Sequence, residues 1–175
     1  MTADPQDAAG PLTYEEALAY LYRLANYEHQ RLARYGTEVF DLTRIERLLS
    51  ALGNPHCSYP SMHIAGTKGK GSVAAMSAAV LRAAGLHTGL YTSPHLHDFR
   101  ERIQIDARWI SKRDLAALVE QVRPGIEANS GVTWFDAVTA LPFCISPCDR
   151  SALPSSRSAW AAAWIRPTSS RPLSR

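Results

Sequence analysis

The chain has 175 residues, 46% hydrophobic and 20% charged, which suits one packed domain of ordinary size and excludes a collagen, a coiled coil and a wholly disordered chain. No stretch nears the roughly 20 uninterrupted apolar residues of a membrane span, and the first ten residues lack a basic start followed by an apolar run, so a cytoplasmic protein without a membrane partner is expected. The net charge of +3 belongs to one end: residues 1 to 141 hold 14 of the 19 basic and 15 of the 16 acidic residues, whereas residues 142 to 175 set five arginines against Asp149 alone, which leaves nucleic acid an unsupported partner.

Thr13-Tyr14-Glu15-Glu16 has capping-box spacing, and Leu18, Leu21, Tyr22 and Ala25 follow at helical intervals, predicting a first amphipathic helix. A second is expected from about Asp41, with Leu42, Ile45, Leu48 and Leu49 on one face and Gly53 and Pro55 as its stop. Met62 to Ala65 reads as a strand, Ser72 to Ala84 as a helix and Thr88 to Thr92 as a second strand. Together they make a βαβ unit with parallel strands and a right-handed connection, hence an α/β fold. Arg102 to Ile105 alternates like a strand, Ser111 to Asp114 can cap a helix reaching about Ala128, and Thr133 to Asp136 can cap another. Cys57, Cys144 and Cys148 have no metal-type pairing and are read as structural or incidental thiols.

The most informative segment is Gly66-Thr67-Lys68-Gly69-Lys70-Gly71-Ser72, between the first predicted strand and its helix. Three glycines in six residues let backbone N–H groups turn toward one anion, and the helix start behind them adds its positive dipole end. Lys70 can neutralise β- and γ-phosphate charge, and the Ser72 hydroxyl can reach phosphate or its metal ion. The Walker pattern is not met strictly: Ile64 stands where it requires glycine, and Gly71 where it requires Ser or Thr. From spacing alone a glycine-rich connection without a ligand stays open, and Lys68 can be a solvated loop charge. A dinucleotide fingerprint is absent.

About 20 residues on comes Thr92-Ser93-Pro94-His95-Leu96-His97-Asp98-Phe99-Arg100-Glu101-Arg102-Ile103. Together with the glycine loop it resembles the folylpolyglutamate synthase and dihydrofolate synthase family of the Mur ligase superfamily. The resemblance runs from about Tyr14 to Leu141 and includes Asp41-Leu42-Thr43-Arg44-Ile45 and Thr133-Trp134-Phe135-Asp136, where the family more often ends in Glu; bacterial members commonly have Asn in place of Lys68. It implies an incomplete P-loop-containing, parallel-sheet ATPase domain of Mur ligase type. The reaction implied is an ATP- and Mg²⁺-dependent one, in which a folate or dihydropteroate carboxylate is phosphorylated and the amine of L-glutamate displaces phosphate. Positioning and charge neutralisation by Lys70 and Mg²⁺ lower that barrier.

By the same resemblance residues Gly66, Thr67, Lys68, Gly69, Lys70, Gly71 and Ser72 bind ATP, Lys70 is catalytic and Ser93 is a magnesium ligand. Asp41, Arg44, His95, Thr133 and Phe135 lie toward the substrates, and the protein is a monomer. Each has a plainer reading beside it: Ser93 before Pro94 as a turn, His95 and His97 as exposed loop histidines, Asp98, Glu101 and Arg102 as surface ion pairs, Trp134 and Phe135 as core. A non-enzymatic nucleotide-binding remnant and a related Mur-type ligase making peptidoglycan precursors are the competing readings.

The last 34 residues contain no Gly, Lys, Glu or Val but eight serines and five prolines, an unusual composition for globular sequence. Where the family continues A-F-L-H-F-A and then E-V-G-L-G-G-R-L-D-x-T-N, this chain has Pro142 to Pro147 and then Ser156 to Thr168. Reading the tail codons one nucleotide upstream reconciles them. Tryptophan has the single codon TGG, so Trp160 before Ala161 forces GGC, glycine, and Trp164 before Ile165 forces GAT, aspartate; the remaining codons permit both family strings. The reading is a lost nucleotide at the Leu141/Pro142 junction, with residues 1 to 141 the N-terminal part of the ligase domain, 142 to 175 a frameshifted tail without defined structure, and the C-terminal ligase domain absent. A short helix around Trp160 and Trp164 is the one element expected in the tail.

Overall fold

A computed structural model describes residues 11–35, 42–145 and 158–163, which divide into two units, one helical and one built on a sheet. The expectations for Asp41, Cys148 and Trp164 lie outside the described residues.

The helical unit comprises α1 (Tyr14–Tyr35), α2 (Thr43–Ala51), α4 (Lys112–Ala128) and α5 (Trp134–Phe143). The starts of α1, α4 and α5 follow side-chain caps, whereas Leu42 ahead of α2 offers none. Thr13 Oγ1 accepts from Glu16 N at 3.2 Å while Glu16 Oε2 accepts from Thr13 N at 2.8 Å, and Ser111 Oγ accepts from Asp114 N at 3.0 Å. The buried stripe of α1 is Ala17, Tyr20 and Leu21, not the expected face through Tyr22, which is exposed. At about 100° per residue, positions 17, 20 and 21 share the face that meets α4 and α5, and position 22 turns off it. Helix α2 buries Leu48 and Leu49 and leaves Leu42 exposed. It ends in a Schellman turn: Gly53 N donates to Ser50 O and Asn54 N to Leu49 O. Helix α4 crosses α2 at Gly125, where a Cβ would come within 3.1 Å of Leu52 Cδ2. Helix α5 touches all three others and is buried from Asp136 to Pro142, so it forms the centre of this unit.

The second unit comprises β1 (Ser61–Ile64), α3 (Lys70–Ala83), β2 (His87–Tyr91), β3 (Ile103–Ile105), β4 (Arg108–Trp109) and β5 (Ser158–Ala163), preceded by short 3₁₀ turns at Pro55–Cys57 and, before β3, Phe99–Arg102. The strand order is β1-β5-β2-β3-β4. β1, β5 and β2 are parallel, whereas β3 and β4 run antiparallel to their neighbours. Ala74 and Ala78 of α3 pack with Leu90 and Ile64 against the parallel part. The expected parallel relation of β1 and β2 holds, but the two are not adjacent.

β5 lies between them and corrects the tail expectation. Ser158–Ala163 were expected to be unstructured or to form a short helix; they form a strand, with Ile64 opposite Ala163 and Tyr91 opposite Ala162. Two parallel strands spaced one strand apart present facing rows of backbone donors and acceptors, and pairing with both rows outweighs the modest helix preference of alanine.

The β3–β4 hairpin turns through Asp106 (φ 50°) and Ala107 (φ 63°), both left-handed. A two-residue turn of this kind favours Asp-Gly. Asp106 suits it, its carboxylate accepting from Thr88 N at 2.9 Å and approaching His87 Nδ1 at 3.0 Å, but alanine in this region carries steric strain of about 1 kcal/mol. Ala107→Gly is therefore expected to stabilise the sheet unit by about 0.5–1 kcal/mol, the strain relieved exceeding the flexibility added to the unfolded chain. An unchanged or lower urea midpoint would contradict this.

Candidate functional site

β1 and β2 point the same way, so the segments that leave their C-terminal ends emerge on one edge of the sheet, separated by β5. At about 4.8 Å between neighbouring strands they start roughly 10 Å apart. From β1 the chain enters the glycine loop, and from β2 the segment that begins Thr92-Ser93-Pro94. Crevices at the carboxyl ends of parallel strands are where open α/β sheets bind ligands.

The glycine loop leads into α3 two residues earlier than expected: Gly69 is the N-cap, and Lys70, Gly71 and Ser72 form the first turn. Gly69 has φ 76°, which favours glycine, and offers no side chain to cap the turn. The first intrahelical bond is Val73 N to Gly69 O at 2.9 Å, so the preceding N–H groups have no acceptor within the helix. Lys70 folds back over the loop, its Nζ donating to Gly66 O at 2.6 Å and Thr67 O at 3.2 Å. Gly66, Thr67, Lys68, Gly71 and Ser72 are exposed. The loop therefore gathers a cation and N–H groups without an acceptor in the helix at one helix start, an arrangement that attracts a polyanion.

The segment after β2 is organised by its own side chains. Thr92 N donates to Arg102 O at 2.9 Å, which closes the segment at its base. Between them, Ser93 is half-buried ahead of a cis peptide to Pro94. Glu101 accepts three backbone N–H groups, from Leu96 at 2.7 Å and from His97 and Asp98 at 2.9 Å. These bonds hold its carboxyl below the usual carboxylate range. Asp98 pairs with Arg100 at 2.7 Å, as the surface reading expected. Glu101 and Arg102 do not follow that reading: Arg102 is 6% exposed, and its Nε donates to His95 Nδ1 at 2.8 Å. Burial, followed by the Arg102 charge, pushes the His95 imidazole below its ordinary value. His97 lies instead beside an open pocket of about 530 Å³, which Leu96, Gln104 and Trp109 also line.

Because the ionised Glu101 carboxylate accepts these N–H groups more strongly than the protonated acid does, its hold on residues 96 to 98 is at full strength above the ordinary carboxylate value of 4.5 and weakens as pH falls through the lower folded value. Glu101→Gln is expected to speed amide exchange at Leu96, His97 and Asp98 at neutral pH. In the unaltered protein the same speeding should come only at pH below the ordinary carboxylate value of 4.5. Exchange unaffected by the substitution would remove Glu101 from this role.

The remaining residues singled out from sequence lie in the helical unit. Thr133 caps α5, its hydroxyl donating to Asp136 Oδ2 at 2.8 Å and accepting from Asp136 N at 3.1 Å. Asp136 also faces Arg44 Nε at 3.6 Å. Phe135 is exposed at the helix start, against the core reading, and Trp134 is half-buried. Cys57 is exposed, and Cys144 is buried, its thiol pushed up to about 11, which leaves little of the nucleophilic thiolate at neutral pH.

Among the described residues no three His, Cys, Asp or Glu side chains gather to hold a metal. Ser93 offers one neutral oxygen. A hard cation such as Mg²⁺ favours anionic oxygen, so these side chains do not make a magnesium site by themselves. No described helix is long and apolar enough to cross a membrane.

No family model matches the chain. Curated relatives do. Over 134 residues it is 41% identical to a probable bifunctional folylpolyglutamate synthase/dihydropteroate synthase of Haloferax volcanii, covering 74% of this chain and 15% of the relative. Over 138 residues it is 41% identical to the folylpolyglutamate synthase of Lacticaseibacillus casei, covering 75% of this chain and 30% of the relative. The apo structure of the L. casei enzyme superposes with a TM-score of 0.70 at 34% identity, over 86% of this chain and 34% of that one. The chain belongs to the folylpolyglutamate synthase and dihydrofolate synthase family. Its fold is accordingly the α/β fold of the Mur ligases, present in part, with the mixed sheet described above. A folylpolyglutamate synthase solved with AMPPCP and folate matches with a TM-score of 0.68 at 34% identity, over 86% of this chain and 34% of that one. The chain spans about a third or less of the length of these relatives.

Proposed function

We propose that this chain is the nucleotide-binding part of an ATP-dependent ligase that joins L-glutamate to the carboxylate of a folate or dihydropteroate. The observation that carries the reading is the emergence of the Lys70 loop and the Ser93 segment on one sheet edge, one strand apart, in a family with a member solved with an ATP analogue and folate. In this reading the N–H groups at the start of α3 and Lys70 hold the β- and γ-phosphates, with Gly66 to Gly69 shaping the turn. Lys70 leaves its carbonyl partners for phosphate oxygens, a charge-assisted exchange. A carboxylate is a poor acyl donor because its leaving group is an oxide; phosphorylation makes phosphate the leaving group, and glutamate's amine then displaces it. Mg²⁺, when bound with the nucleotide, offsets phosphate charge, and Ser93 supplies one neutral oxygen toward it. His95 lies toward the reacting groups. Arg44, Thr133, Phe135 and Asp41 are assigned to the acceptor; Thr133 reaches it only by sharing a hydroxyl already used in its cap. The intact ligase is a cytoplasmic monomer that binds no nucleic acid.

A second reading, nucleotide binding without turnover, is favoured for the chain as it stands by the lack of a carboxylate cluster that could complete a metal site among the described residues. Hydrogen exchange with Mg·ATP tests the shared part. Slower exchange at Lys70 to Val73, with ATP consumption unaffected by added folate and glutamate, fits the second reading; folate- and glutamate-dependent consumption fits the first. No change at these amides defeats both.

A further inference from the structure

His95 and Arg102 form a contact that neither ligand binding by the glycine loop nor the general resemblance requires. The Arg102 guanidinium is buried, its face lies 5.7 Å from the centre of the Phe99 ring, and its Nε donates to His95 Nδ1 at 2.8 Å. The His95 ring packs against the other end of the same cluster, 5.7 Å from Phe99. A guanidinium has N–H donors and no acceptor. The imidazole nitrogen that faces it must therefore present a lone pair, and the proton of the neutral ring must sit on Nε2. Among the described residues nothing accepts from that Nε2–H.

We propose that Arg102 is a positioning residue that locks His95 into the Nε2–H tautomer, so that His95 acts as a one-way hydrogen-bond donor to an anionic oxygen of the bound ligand. A neutral imidazole free to exchange its proton between nitrogens offers a ligand oxygen a donor in one tautomer and a repelling lone pair in the other. A fixed Nε2–H removes the second state before binding, and the loss of that competing state favours the ligand. The oxygen can be phosphoryl or carboxylate, since both accept in the same way. This ligand half rests on the function proposed above, whereas the tautomer half does not.

The chemistry of the Arg102 side chain allows hydrogen bond and charge to be separated. Glutamine carries its amide nitrogen the same number of bonds from Cβ as the Nε of arginine, so Arg102→Gln keeps a donor and loses the charge. Arg102→Lys keeps the charge with a methylene at that place, and Arg102→Met keeps bulk alone. Long-range ¹⁵N–¹H correlation of the His95 ring at about pH 8.5, two units above an ordinary histidine, reads the tautomer with the ring neutral in every variant. The expected result is a single Nε2–H form in the unaltered protein and in Arg102→Gln, and exchange-averaged nitrogens in Arg102→Lys and Arg102→Met. A locked form in the lysine and methionine variants, or averaging in the unaltered protein, would overturn the proposal. Should the methionine variant fail to fold, the glutamine and lysine pair decides alone. Mg·ATP and folate are then added separately to the unaltered protein. Movement of the Nε2–H resonance with ATP assigns the oxygen to phosphate and movement with folate to carboxylate, while movement with neither overturns the ligand half. Exchange at Lys70 to Val73 in the same samples reports separately whether the nucleotide reading itself has failed.

Discussion

Lys70→Ala is expected to abolish the protection that Mg·ATP gives the start of α3. The side chain bridges the loop to Gly66 O and Thr67 O at 2.6 and 3.2 Å, which keeps its charge within the loop that would meet phosphate. A hydrogen bond to a charged group contributes roughly 1.5–3 kcal/mol, so the affinity should fall about 10- to 100-fold, enough to erase a weak protection. Lys112→Ala is the control. Its ammonium lies 3.7 Å from Glu15 and 4.8 Å from the Tyr14 ring centre, in the helical unit, and its loss lowers stability slightly without touching the loop. The comparison is therefore the ATP-induced shift in melting temperature within each variant. Equal loss in both, or loss in neither, would sink the assignment of Lys70.

The larger expected effect is a gain. Restoring one nucleotide at the Leu141/Pro142 junction and reading the gene onward should recover a full-length ligase that consumes ATP only with a folate-type acceptor and L-glutamate both present. Charge is the physical reason. A triphosphate beside a carboxylate brings several negative charges together, and Lys70 with the neutral hydroxyl of Ser93 offsets too little of it. The shifted frame permits a glutamate from the Ser156 and Arg157 codons, ahead of the forced glycine and aspartate, and a carboxylate is the ligand that a hard cation favours. In the repaired enzyme, replacement of that glutamate and Ser93→Ala should each reduce turnover strongly, the serine variant recovering in part at high Mg²⁺. Downstream DNA without an open frame for the rest of the ligase would defeat the frameshift reading and leave the nucleotide-binding remnant.

Features set by near neighbours in the chain were legible from the residues alone. The caps at Thr13, Ser111 and Thr133, the stop at Gly53 and the passage from strand through glycine loop to helix depend on side-chain and backbone groups three or four positions apart. The positions of the two strands before the candidate loops were legible for the same reason.

Tertiary structure alone decided the rest. Which stripe of α1 is buried depends on the helices it meets, so Tyr22 reads as apolar in sequence yet stays exposed. The insertion of Ser158–Ala163 between β1 and β2 is held by backbone groups, which every residue but proline supplies in full, so composition gave no sign of it. Arg102 and Glu101 look like surface charges in the string Phe99-Arg100-Glu101-Arg102. Chain reversal between β2 and β3 turns one toward His95 and the other under three backbone amides. Sequence determined where a phosphate loop could form; the three-dimensional fold determined that the Ser93 segment leaves the same sheet edge, because parallel strands bring their ends together across any distance in the chain.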